Sequence, residues 1–219
     1  MKFVLLYLTA IICLVKSETI STNDGNPKGN TWAVLIAGTK DWENYRHQAD
    51  ICHSYHILIE NGVKPEHIIV MMYDDIAFNK QNMYPGKVFN EPRGKDVYNG
   101  IKIDYSESFV TSEIFLNVLK GNKSGNAGKG SGRVLESGEL DYVFVFYVAH
   151  GDHEILTMPE GFILHKNELF DTFKVMSENK MYKSMLFYLE SCKSGSMFVD
   201  LNPEWNSKFI ILIKKFNIF

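Results

Sequence analysis

Residues 185–198 read MLFYLESCKSGSMF. An apolar run, Met185 to Leu189, leads into Glu190, Ser191 and Cys192, and small residues follow at Ser194, Gly195 and Ser196. A cysteine kept for packing belongs inside an apolar run, because a free thiol behaves as a small buried hydrophobe. Cys192 stands at the end of one, with small residues after it that keep the approach open. Working back along the chain, DYVFVFYVAHG at 141–151 is built the same way and stops at Ala149-His150-Gly151. TWAVLIAGT at 31–39 runs toward Asn44-Tyr45-Arg46-His47, and HIIVMMYDD at 67–75 ends in two aspartates. Each is a short apolar run suited to a strand buried on both faces. KFIILIKK at 208–215 is a candidate fifth strand.

Helical patterns fall between these runs. In 44–62, Tyr45, Ala49, Cys52, Tyr55 and Ile59 recur at helical spacing, and Asn61-Gly62 supplies the stop. Thr111 can cap a short helix to Lys120 with Glu113 in its first turn, and Asn167 opens a stretch to about Lys180. Residues 76–110 and 121–132 read as loops, rich in Pro, Gly and Ser. Strands alternating with helices predict an α/β fold, an open and mostly parallel sheet with helices on both faces.

Composition agrees with one globular domain. The chain has 219 residues, 45% hydrophobic and 22% charged, with a formal net charge of -3. Scattered basic residues give no footprint for nucleic acid. The start, MKFVLLYLTAIICLVKSETIS, has Lys2, an apolar core from Phe3 to Val15, and small exit residues; it reads as a signal peptide over 1–17. A polar leader follows over 18–29, and the domain over 30–219. The terminal KFIILIKKFNIF is broken by Lys214 and Lys215, so it makes no stable membrane span. The secretory route leaves Cys52 and Cys192 after Cys13 departs with the signal. They either pair once or leave a free reactive thiol. Asn122-Lys123-Ser124 is a glycosylation sequon in a loop.

Ligands of parallel α/β sheets bind beyond the carboxyl ends of the strands. That rule brings His150, Cys192 and the cluster near Asn44 to one edge. A thiol beside an imidazole suits acyl transfer: the thiolate attacks, and the histidine protonates the leaving amine. Gly151, without a side chain, can bring its N–H to a developing oxyanion together with the N–H of Cys192. Cys52, on an apolar helix face, reads as packing, and His53, His56, His67 and His165 lack a partner pattern. The rival chemistry is a metal bound by His150, Asp152, His153 and Glu154 with Asp74-Asp75. The spacing H-E-x-x-H is absent and the run is loop-like, so the thiol reading is favoured and no metal or cofactor is expected.

NYRHQAD (44–50), MMYDDIA (71–77), the His150-Gly151 strand end and ESCKSGSM (190–197) resemble the legumain family of asparaginyl endopeptidases, which are caspase-like cysteine proteases. TWAVLIAGT, PGKVFNEPRGKDVYNG and GSGRVLESG add to the resemblance, which covers roughly 30–200. It implies that Cys192 is the nucleophile, His150 the catalytic histidine, Asn44 its orienting partner and Gly151 the oxyanion donor. It further implies that Arg46, His47 and Glu190 grip the side-chain amide of a substrate asparagine, Arg46 at the oxygen and Glu190 at the nitrogen. The implied partners are peptide and protein substrates, cleaved in a lysosomal, vacuolar or secreted setting.

This sequence departs from the family pattern in several places. Ala149 stands where the family has Asp. Asp152-His153-Glu154 replaces a small, glycine-rich segment, and Ser191 and Lys193 replace Ala and Glu beside the nucleophile. NPEWNSKFIILIKKFNIF does not match the strands or the prosegment that follow in the family, which reads as truncation after the nucleophile strand. Such a truncation would expose a sheet edge and favour self-association. Two other readings are an impaired, binding-only fragment and a relative of the lipid-anchor transamidase.

Overall fold

In chain order the elements are β1 (Thr31–Ala37), α1 (Tyr45–Glu60), β2 (Ile68–Met71), α2 (Ser112–Leu119), β3 (Tyr142–Val148), β4 (Gly151–Asp152), β5 (Ile155–Thr157), β6 (Ile163–His165), α3 (Lys166–Glu178), β7 (Ser184–Glu190) and β8 (Ser207–Leu212). The computed structural model describes residues 29–205 and 207–212. The signal-peptide reading of 1–17, most of the 18–29 leader and the tail after Leu212 lie outside the described residues.

Five strands form one sheet in the order β2-β1-β3-β7-β8, and every neighbouring pair is parallel. The three central strands read as apolar runs because both of their faces are covered. Alternate residues divide between two cores. Val34, Ile36, Val145, Tyr147, Phe187 and Leu189 pack under α2 and α3, where Ile114, Phe115, Leu169 and Phe173 meet them. Leu35, Ala37, Phe146, Val148 and Tyr188 face α1 through Ala49, Cys52, Tyr55 and Leu58. Helices therefore cover both faces, as the sequence predicts.

Local chemistry sets the helix ends. Gly62 adopts φ 86°, and Val63 N–H reaches back to Leu58 O at 3.0 Å, which closes α1. Thr111 Oγ1 accepts from Ile114 N–H at 3.2 Å and starts α2. α3 starts earlier than Asn167, because His165 and Glu168 form a capping box in which Glu168 Oε2 accepts from His165 N–H at 3.0 Å. The second strand is shorter than its apolar run. It ends at Met71, and Asp74 turns away with φ 66°.

One part of the architecture departs from the sequence expectation. The segment after His150 is not a bare loop but a small antiparallel sheet, ordered β4-β5-β6. Its strands are two or three residues long, too short to show an alternating pattern. Gly38 lets this sheet settle on the end of β1. A Cβ at Gly38 would lie 2.3 Å from Thr157 O and 2.8 Å from Ala149 Cβ.

Candidate active site

The strand order reverses between β1 and β3. The chain leaves β1 outward to β2, then returns to β3 on β1's other side. Such a switch point opens a crevice beyond the strands' carboxyl ends. Ala37 pairs with Val148, and Val148 with Glu190, so β1, β3 and β7 end level. The segments from Gly38, Ala149 and Ser191 onward emerge side by side.

Asn44 immediately precedes α1. Its Nδ2 donates to Lys40 O at 2.7 Å, which fixes the amide's orientation and turns Oδ1 toward His150. His150 Nε2 lies 2.7 Å from that oxygen. A carbonyl oxygen only accepts, so Nε2 carries the proton and Nδ1 is the ring nitrogen left for another partner. Thr157 steadies His150 from behind: its N–H donates to His150 O at 3.0 Å, and its Oγ1 lies 3.1 Å from the same oxygen and 3.2 Å from Gly38 O. Tyr147 OH in turn donates to Thr157 O at 2.8 Å.

Arg46 and His47 occupy the first turn of α1. His47 is fully buried, with Thr39 Oγ1 2.6 Å from its Nδ1. Arg46 contacts His47 Nε2 through its guanidinium. Arginine only donates, so Nε2 accepts and Nδ1–H donates to Thr39. The His47 and His150 rings meet edge to face with centroids 5.2 Å apart. Partial burial, then the nearby Arg46 charge, push the His150 pKa below 6.5. Glu190 ends β7, is buried, and follows Tyr188 by two residues, so it shares the α1 face of the sheet with the helix bearing Arg46 and His47.

Cys192 is half-buried and not in a disulfide. The backbone of Gly151 presses against the Cys192 turn: a Cβ there would lie 3.1 Å from both Cys192 O and Ser191 Oγ. Glycine thus permits the close approach of the His150 and Cys192 turns. Lys193 takes φ 51° and its side chain pairs with Asp152. Here the sequence expectation of open small residues needs correction. Ser194 is fully buried, and Ser196 is tied to its surroundings, with Oγ and N–H both donating to Lys193 O at 2.8 and 2.9 Å. Small size lets residues 194–198 fold under the turn as a single helical coil.

Cys52 is also free and buried, so the two thiols do not pair with each other. Burial pushes the Cys52 thiol far up, out of the reactive range. Asp74 and Asp75 are engaged locally, Asp74 by Tyr98 OH at 2.9 Å and Asp75 by Gln48 Nε2 at 2.6 Å and Asp41 N–H at 2.7 Å. Among the described residues, no group of three or more His, Cys, Asp or Glu is arranged to hold a metal ion. The sequence marks neither Thr39 nor Thr157 as part of the site, since hydroxyl residues carry no distinctive spacing, and it marks Ser196 only as a small residue. The only signal was that Thr39 ends its apolar run.

Fold and site together define an α/β protein with a thiol and an oriented imidazole at one sheet edge. The chain belongs to the Peptidase C13 family, which matches residues 31–211. It is 51% identical to legumain of Rattus norvegicus over 178 residues, 81% of this chain and 41% of that protein. Hemoglobinase of Schistosoma japonicum is 49% identical over 172 residues, 78% of this chain and 39% of that one. The vacuolar-processing enzyme delta-isozyme of Arabidopsis thaliana is 45% identical over 185 residues, 84% of this chain and 40% of its own length. The chain thus spans less than half the length of these relatives.

Proposed function

We propose that the protein is a cysteine endopeptidase that hydrolyses peptide bonds after asparagine, and more weakly after aspartate at acidic pH. The observation that carries this reading is the Asn44–His150 hydrogen bond, made beside a Gly151 backbone packed on the Cys192 turn. His150 Nδ1 takes the thiol proton of Cys192, and the Sγ thiolate attacks the scissile carbonyl carbon. The carbonyl oxygen gains charge, and the N–H groups of Gly151 and Cys192 stabilise it. His150 protonates the leaving amine, then takes a proton from the water that hydrolyses the thioester.

Arg46 and Glu190 give the substrate pocket both signs, with His47 holding Arg46. A primary amide needs a donor for its oxygen and an acceptor for its nitrogen, so this pair suits asparagine. Aspartate offers a similar shape only when protonated, which acid favours.

Residues 30–219 act as the catalytic domain after a signal peptide over 1–17. The secretory route leads to a lysosome, vacuole or the exterior, and Asn122, exposed in its loop, accepts a glycan. Peptides and proteins are the substrates. Copies of the chain self-associate through an exposed sheet edge; a sedimentation profile independent of concentration would remove that part of the reading. Among the described residues no helix is long and apolar enough to cross a membrane.

The test is hydrolysis of a fluorogenic peptide with Asn before the scissile bond, at acidic pH, beside an Ala peptide and Cys192→Ser. Asn-selective turnover abolished in Cys192→Ser supports the reading. Equal turnover of both peptides removes the pocket assignment, and no turnover from folded protein removes the enzyme.

A further inference from the structure

Two independent ties join the short hairpin after His150 to the turn that carries Cys192. Asp152, next to Gly151, pairs through its carboxylate with the ammonium of Lys193, next to Cys192. Two residues on, Glu154 N–H donates to Ser196 Oγ at 2.8 Å, and that hydroxyl donates to Lys193 O at 2.8 Å. Glu154 is itself held, since Lys166 Nζ lies 2.8 Å from its Oε1 at the start of α3. Asp152 and Lys193 are about equally exposed, at 61% and 62% of their side-chain surface. An exposed ion pair adds little to folding stability, so stability does not account for it. Its position does suggest a role: each end of each tie is within four residues of Gly151 or Cys192.

We propose that Asp152–Lys193 and Glu154–Ser196 form a two-point clasp that sets the distance between the His150–Gly151 turn and the Cys192 turn. Lys193 and Ser196 are thus positioning residues for the thiol. The proposal rests on the peptidase reading for its kinetic consequence, but not for the geometry of the clasp. Reaction between a thiol and an imidazole depends steeply on their placement, and a shift of about 1 Å can cost about a hundredfold in rate. The ion pair opens and closes at the surface, whereas the Ser196 tie is neutral and half-buried. Loss of Ser196 Oγ therefore has the larger effect. The charge of Lys193 is taken up by Asp152 rather than offered to a substrate.

The test is a double-mutant cycle with Asp152→Ala, Lys193→Ala and both together, the exchanged pair Asp152→Lys with Lys193→Asp, and Ser196→Ala. Two readouts are taken from each protein: kcat and KM on an Asn peptide, and the rate of Cys192 alkylation by iodoacetamide, which needs no peptidase activity. Each single charge removal is expected to lower kcat about threefold with KM little changed, and Ser196→Ala about tenfold. The double variant is expected to be no worse than the worse single one, and the exchanged pair to recover most of the loss. Alkylation is expected to follow the same order. Strictly additive losses with no recovery in the exchanged pair would overturn the clasp, as would unchanged rates in all variants. If no Asn peptide is cleaved but alkylation still follows the cycle, the peptidase reading fails and the clasp stands.

Discussion

His150 Nε2 lies 2.7 Å from Asn44 Oδ1 although 106 residues separate them. The contact fixes which ring nitrogen is protonated, and the Asn44 amide is itself fixed by Lys40 O. Asn44→Ala is expected to leave the fold intact and to lower kcat about 10- to 100-fold, because the ring can then rotate and exchange tautomers. Asn44→Gln is expected to restore little, since the longer side chain cannot meet both Lys40 O and His150. Steady-state kinetics with a circular-dichroism check on folding decide it. A kcat within twofold of the parent would show that packing against the His47 ring, not Asn44, holds the imidazole.

The His150 pKa is depressed below 6.5 by burial first and by Arg46 second. The sign follows from linkage. Between the folded pKa and 6.5 the unfolded chain binds more protons, so this contribution to stability is full above pH 6.5 and is lost as pH falls through the folded value. Arg46→Gln removes the charge, so the His150 pKa is expected to rise part-way toward 6.5 and the loss to become smaller. An NMR titration of His150 in a Cys192→Ala background measures this without thiol coupling. An unmoved pKa would mean that burial alone sets it.

The sequence made the central sheet legible because β1, β3 and β7 are apolar on both faces and each stops at a polar residue. The convergence of Asn44, His150 and Cys192 on one edge followed from that alone, given the rule for parallel sheets. What stayed hidden has physical causes. β4, β5 and β6 are too short to show a period and are organised by tertiary contacts at Gly38 and Thr157. The early start of α3 comes from Glu168 reaching back to the His165 backbone N–H, a bond that the side chain at 165 does not signal. The Lys193–Asp152 pair joins positions 41 apart, and no local pattern links them. The packed state of Ser194 was also hidden, because small residues suit an open approach and a tight coil equally well.

The two thiols differ by environment. Cys52 lies on the α1 core face, its Sγ 3.9 Å from Met72 Sδ, and burial keeps it protonated. Cys192 is half-buried at the sheet edge. Iodoacetamide on native protein is expected to modify Cys192 and leave Cys52 unmodified until denaturant is added. Peptide mass mapping before and after denaturation reads this directly. Labelling of Cys52 in the native state would mean that α1 opens readily from the sheet.

Stability at the other end of the sheet depends on a buried charge. The Asp104 side chain is fully buried, and Arg133 Nη1 meets its two oxygens at 2.9 and 3.1 Å. Asp104 Oδ2 also accepts from Val70 N–H at 3.1 Å, and Arg133 reaches Ile68 O at 3.1 Å and Glu66 O, so the pair braces the entry to β2. Arg133→Met leaves the carboxylate buried without its counter-charge and is expected to cost about 3–5 kcal/mol. Adding Asp104→Asn removes the charge and is expected to return part of that loss, since the amide oxygen can still accept from Val70. Urea unfolding of the two variants and the parent tests the argument. A loss below about 1 kcal/mol for Arg133→Met would place this pair with ordinary surface ion pairs. A double variant less stable than Arg133→Met would show that the carboxylate's hydrogen bonds, not its unpaired charge, dominate at this site.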